Sequence, residues 1–288
     1  MTILVAGASG AIGREVVSLL AGQHNVHALA RMESGLAGLK AEVASRIPLD
    51  LIACDRNQLF ARLEGVQTVI SCVGAPVLPG PADRASFLRH DTVANQKLIE
   101  AARAAGVFRF LYLALHRNEA YAETAYATAH ERVVETLQKS GMSYTVVEPT
   151  GVYSALLELV RLARGGRVPI IGDGSARTNP IDPRDVAQCV ADHLLRGPER
   201  VPAGGPEVMT RDSIAETAFA VIGKRPRLLH VPRALAGAMA TLIGPFHARA
   251  ADLLEFYAAV SKVDCIAPAY GVRRLRDYFR KAAASAQA

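Results

Sequence analysis

The heptapeptide GASGAIG, with Gly7, Gly10 and Gly13, stands directly after the apolar run TILVA and opens the amphipathic stretch AIGREVVSLL. A glycine turn caught between a strand signal and a helix signal leaves few folds open. It brings a helix N-terminus over the end of a strand, where free N–H groups and the helix dipole favour negative charge. The glycines permit the tight turn and let backbone approach a pyrophosphate closely. The heptapeptide therefore predicts a phosphate cradle for a dinucleotide, made by Gly7, Ser9, Gly10, Ala11, Ile12 and Gly13.

The chain beyond the cradle alternates apolar strand-like runs with helical ones. NVHALAR, EVASRIPLDLIACD, LEGVQTVISCVG, FRFLYLAL and SYTVVEPTGV hold the strands, and TVANQKLIEAARAAGV is a helix with a glycine stop. Residues 118–137, NEAYAETAYATAHERVVETL, read as a further helix. Such β-α alternation with apolar strands predicts an α/β fold, a doubly wound parallel sheet covered by helices on both faces. After about residue 155 the pattern loosens, which predicts a sheet domain over 1–155 and a smaller, mostly helical lobe over 156–288 interleaved with the sheet edge. In that lobe a helix starts near Pro183, Thr210 reads as an N-cap, and Asn179, Asp182 and Asp185 read as turn and cap residues.

Composition narrows the function. The 288 residues are 50% hydrophobic and carry 33 basic against 27 acidic side chains, a net charge of +6. These charges are mixed along the chain, with no long block of one sign, so the balance predicts attraction for anionic ligands and no nucleic-acid partner. The four cysteines show no CxxC pair and no histidine partner spacing, which predicts neither a disulfide framework nor a metal site. The start MTILVAGASG lacks a basic leader, so a cytoplasmic location is expected. The most apolar later run, ALAGAMATLIGPF (234–246), is too short to span a bilayer and reads as a buried or lid helix. The alanine-rich end KAAASAQA is expected to fray.

Arg31 closes the second strand, at the place where a carboxylate selects the ribose of NAD and an arginine accommodates a 2′-phosphate, so NADP(H) is expected over NAD(H). Asp55, after the third strand, is a candidate for the adenine region. Gly74 and Ala75, ending the fourth, are placed to pass close to the cofactor.

Taken in order, GASGAIG, HALAR, VISCVG, ANQKLIEAARAAGVFRFLYL, SGMSYTVVEPTGVYS and RTNPIDPRDVA resemble the atypical short-chain dehydrogenase/reductase superfamily, especially its NmrA-like and complex I accessory-subunit-like branches. The resemblance implies a Rossmann-type NAD(P)-binding domain whose substrate cleft is roofed by the C-terminal lobe. It also implies that Thr150 and Gly151, ending the sixth strand, offer amide contacts near the nicotinamide. Competent members pair a serine after the fifth strand with a YxxxK helix. Here Ala114 and Leu115 stand at the serine's place, Tyr126 is in register for the tyrosine, and His130 replaces the lysine. Residues four apart share a helix face, so Tyr126 and His130 can address one cleft, with His116 as a further donor at the end of the fifth strand. The competing expectation is that Tyr126 merely packs and His130 is solvated. Two functions follow as expectations. One is an NAD(P)H-dependent reductase of a carbonyl, enone or quinone acting on a small apolar or aromatic substrate, including an aromatic quinone whose reduced form meets oxygen. The other is a non-catalytic NAD(P)-binding sensor or assembly protein. A monomer and a homodimer are equally open.

Overall fold

Successive residues of a strand face opposite sides, and β1 (Thr2–Ala6) sends Ile3 and Val5 one way and Leu4 and Ala6 the other, all four fully buried. A strand apolar on both faces belongs in the middle of a sheet covered on both sides. The computed structural model, which describes residues 1–75 and 84–285, places it there. In chain order β1 is followed by α1 (Ala11–Leu20), β2 (Asn25–Ala30), α2 (Glu33–Ala37), β3 (Ser45–Pro48), α3 (Arg56–Ala61), β4 (Thr68–Ser71) and α4 (Phe87–Ala104). Next come β5 (Arg109–Leu113), α5 (Ala125–Ser140), β6 (Ser143–Pro149), α6 (Leu157–Arg164), β7 (Val168–Ile171), β8 (Arg177–Thr178), α7 (Pro183–Asp192) and β9 (Arg200–Ala203). β10 (Met209–Thr210), α8 (Arg211–Val221), β11 (Leu228–Val231), α9 (Arg233–Ile243), α10 (Ala248–Val260) and α11 (Leu275–Ser285) complete the chain.

Seven strands form one parallel sheet in the order β3-β2-β1-β4-β5-β6-β9, with Val5 opposite both Ala28 and Ile70. On one face Leu4, Val69, Phe110 and Val146 pack under Leu98 of α4 and Val133 and Leu137 of α5. On the other, Ile3, Val5, Leu111 and Val147 meet Val16 and Val17 of α1 and Val186 and Val190 of α7. The lobe has its own core around Tyr153, Val160, Phe219 and Phe279. It is not a continuous segment, since α7 and β9 return from it to the main sheet.

Local signals hold where they rest on caps. Thr210 caps α8 in a reciprocal pair with Ser213, and Asp182 caps α7 ahead of Pro183. Asn179 ties the lobe together, donating to the carbonyls of Gly205 and Ala267 and accepting from the Ala267 amide. Asp185 accepts from the amides of Val272 and Arg273.

Three expectations are corrected. The single helix expected over 118–137 is a short 3-10 turn, Glu119–Tyr121, followed by α5, which begins only at Ala125 because the Thr124 hydroxyl accepts from the Ala127 amide and fixes the start there. The alanine-rich end does not fray through 285: Ala283 is buried in the lobe core, and its carbonyl accepts from Arg164. Of the two readings of the run at 234–246, a buried helix or a lid helix, the buried one is set aside for α9. Only Ala236 and Ala240 make its buried seam, while Leu242 and the following Phe246 are 72% and 76% exposed. Among the described residues no helix is long and apolar enough to cross a membrane.

Candidate functional site

The turn after β1 has the geometry its glycines permit. Gly7 sits at φ +77°, and a β-carbon there would stand 2.5 Å from the Cys72 carbonyl oxygen. A β-carbon on Gly13 would stand 2.1 Å from the Gly7 carbonyl oxygen, so α1 can lie this close to the turn only without a side chain. Gly10 is the N-cap of α1 and offers no capping side chain, and no acidic residue lies in the first turn. The amides of Ala11 and Ile12 at the helix start thus remain open to an anion. Arg14 braces the turn from behind, donating from Nε to the Ser9 carbonyl at 2.8 Å and from Nη2 to the Gly35 carbonyl at 3.0 Å.

This turn opens onto a cleft of about 330 Å³ along the C-terminal ends of β1, β2, β3 and β4. Of the residues expected to hold the cofactor, Gly7, Ser9, Gly10, Arg31 and Gly74 line it. Ala75 is held just beyond, its amide donating to the Asp91 carboxylate at 2.9 Å. Asp55 does not line the cleft. Its carboxylate caps α3, accepting from the Gln58 amide at 2.7 Å. Asp50, Leu51 and Ile52 line the cleft in its place. β3 stops at Pro48, and the Asp50 carboxylate then accepts from the Ile52 and Ala53 amides, so the chain turns earlier than the run of apolar residues suggests.

The loop after β4 is held by a buried polar network with no sequence motif. Ser71 donates to the Asn95 side-chain oxygen at 2.6 Å, and Asn95 donates to the Val73 and Asp91 carbonyls. Asp91 and Asn95, four apart on α4, point their polar groups inward. The signal available was two amide or acid side chains at helical spacing on a face otherwise apolar.

On α5, Tyr126 is half-buried and its ring packs on Phe87 at 4.6 Å, His130 at 4.9 Å and Phe256 at 5.0 Å. Its hydroxyl has no hydrogen-bond partner among the described residues. Burial, with Asp91 and Tyr257 adding to it, holds this phenol above its ordinary range. The reading of His130 as a solvated residue is overturned: it is 6% exposed, with Nδ1 2.7 Å from the Tyr112 hydroxyl, and Nε2 is buried with no partner among the described residues. Burial lowers its pKa against the opposing pull of Asp91 and Glu131, so the ring is neutral at pH 7. The amide of His116 donates to the Pro149 carbonyl at 3.0 Å, while its Nδ1 is buried without a partner among the described residues, and burial lowers its pKa as well.

At the end of β6 the amide of Thr150 donates to the Ala203 carbonyl and its hydroxyl to the Asn179 carbonyl at 2.6 Å. The amide contact expected of Thr150 is therefore closed, because that group is already paired inside the fold. The Gly151 amide has no such partner among the described residues.

Neutral buried histidines give a pH dependence of definite sign. Their pKa in the folded state lies below the ordinary 6.5, so below about that pH the unfolded chain binds more protons than the folded one. Stability is expected to fall as pH drops through that value. Urea unfolding at pH 7.5 and pH 5.5 checks this, and His130→Gln should show the smaller difference between the two.

An uncapped glycine turn at the first βα junction, opening onto the carboxyl ends of a parallel sheet, defines a dinucleotide-binding protein of Rossmann type. The chain belongs to the NAD(P)H-binding family, whose pattern it matches over residues 7–196. The chloroplastic divinyl chlorophyllide a 8-vinyl-reductase of Zea mays is 29% identical over 251 residues, covering 80% of this chain and 62% of that protein. The chain thus spans about three fifths of the length of the vinyl reductases it matches. The (4-alkanoyl-5-oxo-2,5-dihydrofuran-3-yl)methyl phosphate reductase of Streptomyces griseus is 30% identical over 229 residues, 77% of this chain and 74% of that one. In fold, the chain is similar to an NADPH-dependent quinone oxidoreductase of Escherichia coli solved with NADPH. The TM-score is 0.76 at 18% identity, over 98% of this chain and 99% of the other.

Proposed function

We propose that this chain is an NAD(P)H-dependent reductase of an enone, quinone or activated carbonyl. The observation that carries the reading is an open cofactor cradle in a fold whose α5 sets Tyr126 against His130, whose buried Nε2 has no partner among the described residues. Gly7, Gly13 and the open amides of Ala11 and Ile12 fit the phosphates of such a cofactor, with Arg31 and Asp50 toward its adenosine end. When bound, the nicotinamide supplies a hydride to the acceptor. Two of the related proteins carry the names of reductases, one of a vinyl group and one of a dihydrofuran methyl phosphate, which supports the same class.

The residues define which acceptors suit the site. Tyr126 can donate its proton to the acceptor oxygen, but its raised pKa makes it a weak acid. A lysine four residues on would lower that pKa by its charge, and the neutral His130 does not. The chemistry therefore favours acceptors whose reduced oxygen is itself a stabilised anion, as in enones and quinones. With Tyr112 donating to Nδ1, His130 presents Nε2–H as a donor to a hydroxyl, the ribose being one candidate.

The test is NADPH oxidation by purified protein against a panel of quinones and enones. Turnover with any of them supports the reading; tight NADPH binding without turnover leaves the sensor or assembly reading, which the absent serine and lysine would then explain. For cofactor choice, Arg31 lies exposed on the cleft wall, where it can meet a 2′-phosphate. Arg31→Asp is expected to weaken NADPH binding about tenfold while changing NADH binding by less than about twofold, a difference near 1 kcal/mol. Fluorescence titration with both nucleotides decides it, and equal losses would remove the preference for NADPH.

A further inference from the structure

Arg211, the first residue of α8, carries a guanidinium that makes no hydrogen bond and no ion pair among the described residues, and its Nε is buried without a partner. The buried Nε–H has left water without gaining an acceptor, which is costly, and the rest of the half-buried fork has no protein acceptor among the described residues. Its surroundings do not supply the missing acceptor. Burial dominates its environment, followed by Cys265, Tyr121, Tyr257 and Asp264. Asp264, the only carboxylate of these four, is already engaged: it accepts from the Arg177 amide at 2.7 Å and from Nε and Nη2 of Arg177 at 2.9 and 2.6 Å. The Tyr121 hydroxyl donates to the His116 carbonyl at 2.5 Å and lies 3.3 Å from the Cys265 sulfur.

The same neighbours tie Arg211 to the proposed reaction site. Tyr257 lies near enough to both Tyr126 and Arg211 to act on their charge, and it is 39% exposed. Phe256 beside it touches the rings of Tyr121 at 5.3 Å and Tyr126 at 5.0 Å. Around the apolar cluster of Tyr121, Phe256, Cys265 and Tyr126, the Arg211 fork and the Tyr257 and Tyr126 hydroxyls thus make no hydrogen bond among the described residues.

We infer that Arg211 is a substrate-binding residue, and that the acceptor reduced at Tyr126 carries an oxyanion, a carboxylate or a phosphate, seated on its guanidinium. The fork geometry suits two parallel N–H···O bonds to either group, and the aromatic rings of Phe256 and Tyr257 cover the apolar body between. The inference rests on the reductase reading for the meaning of the site, but its test does not need turnover.

The probes are naphthoate, naphthyl phosphate and the neutral naphthalenemethanol, titrated by calorimetry into protein saturated with NADPH, so that the cofactor's own phosphate sites are filled. At least one anion is expected to bind ten times tighter than the alcohol, and the tighter of the two tells carboxylate from phosphate. Arg211→Gln should lose that preference while keeping its affinity for the alcohol and for NADPH. Arg211→Lys, which keeps the charge and loses the fork, should retain part of it. Anions no tighter than the alcohol, or a preference that survives Arg211→Gln in a variant that still binds NADPH, would overturn the inference. Failure of the reductase reading is seen separately, as absent NADPH oxidation with the anion preference intact.

Discussion

Gly13→Ala is expected to lower NADPH affinity at least a hundredfold, about 2.7 kcal/mol. The new β-carbon would sit 2.1 Å from the Gly7 carbonyl oxygen, 2.9 Å from its carbon and 3.0 Å from the Ala8 Cα. All three are backbone atoms, so no side chain can swing aside. Relief comes only by moving α1 away from the turn, and that motion displaces the very amides on which a phosphate would rest. Part of the strain will appear as lost stability, about 1–3 kcal/mol for a forced overpacking. Gly10→Ala is the control that separates cradle geometry from glycine chemistry. Its β-carbon would meet only the Gly7 carbonyl oxygen at 3.3 Å, and its φ of −73° suits any residue. It should bind NADPH within about tenfold of the wild type. Equal affinity of Gly13→Ala and wild type in a fluorescence titration would show that the turn is not where the cofactor's phosphates lie.

That contrast also shows which parts of the molecule are legible in sequence. The cradle is readable because everything it needs lies within one strand, one turn and one helix start. The same locality explains why Thr210 and Pro183 mark their helices correctly. Asp55 misleads because a capping carboxylate and a ligand-facing one look alike until the end of β3 is known, and Pro48 rather than the last apolar residue sets that end. The position of His130 is readable from its spacing to Tyr126, but its environment is not. Its partner Tyr112 comes from β5 across the α5–sheet interface, and only the packing of those two elements brings the ring to 2.7 Å. Asp91 and Asn95 escape for the same reason, since they act on the loop after β4 through tertiary contact. Arg211 is the extreme case. In sequence it is one arginine among many, and its distinction is an absence of partners that only the folded chain can reveal.

The reaction site makes the second large prediction. Tyr126→Phe is expected to cut turnover at least tenfold, about 1.4 kcal/mol of transition-state stabilisation, with little change in NADPH affinity. The ring would stay packed on Phe87 and Phe256, so only the unpartnered hydroxyl is removed. His130→Ala is expected to lower turnover by at least as much, but it also leaves the buried Tyr112 hydroxyl without its partner. That adds a stability loss of about 1–3 kcal/mol, which must be kept apart from the chemistry. Tyr112→Phe makes the separation. It removes the partner of Nδ1 and leaves the ring in place, so the Nε2–H tautomer stays available but is no longer fixed by a hydrogen bond at Nδ1. Turnover falling strongly in Tyr126→Phe and His130→Ala, and weakly in Tyr112→Phe, assigns the work to the phenol and to Nε2. If all three lose stability but none loses turnover, Tyr126 and His130 are packing residues, and the proton for the acceptor comes from elsewhere in the cleft. His116, whose buried Nδ1 also lacks a partner, is then the next donor to replace.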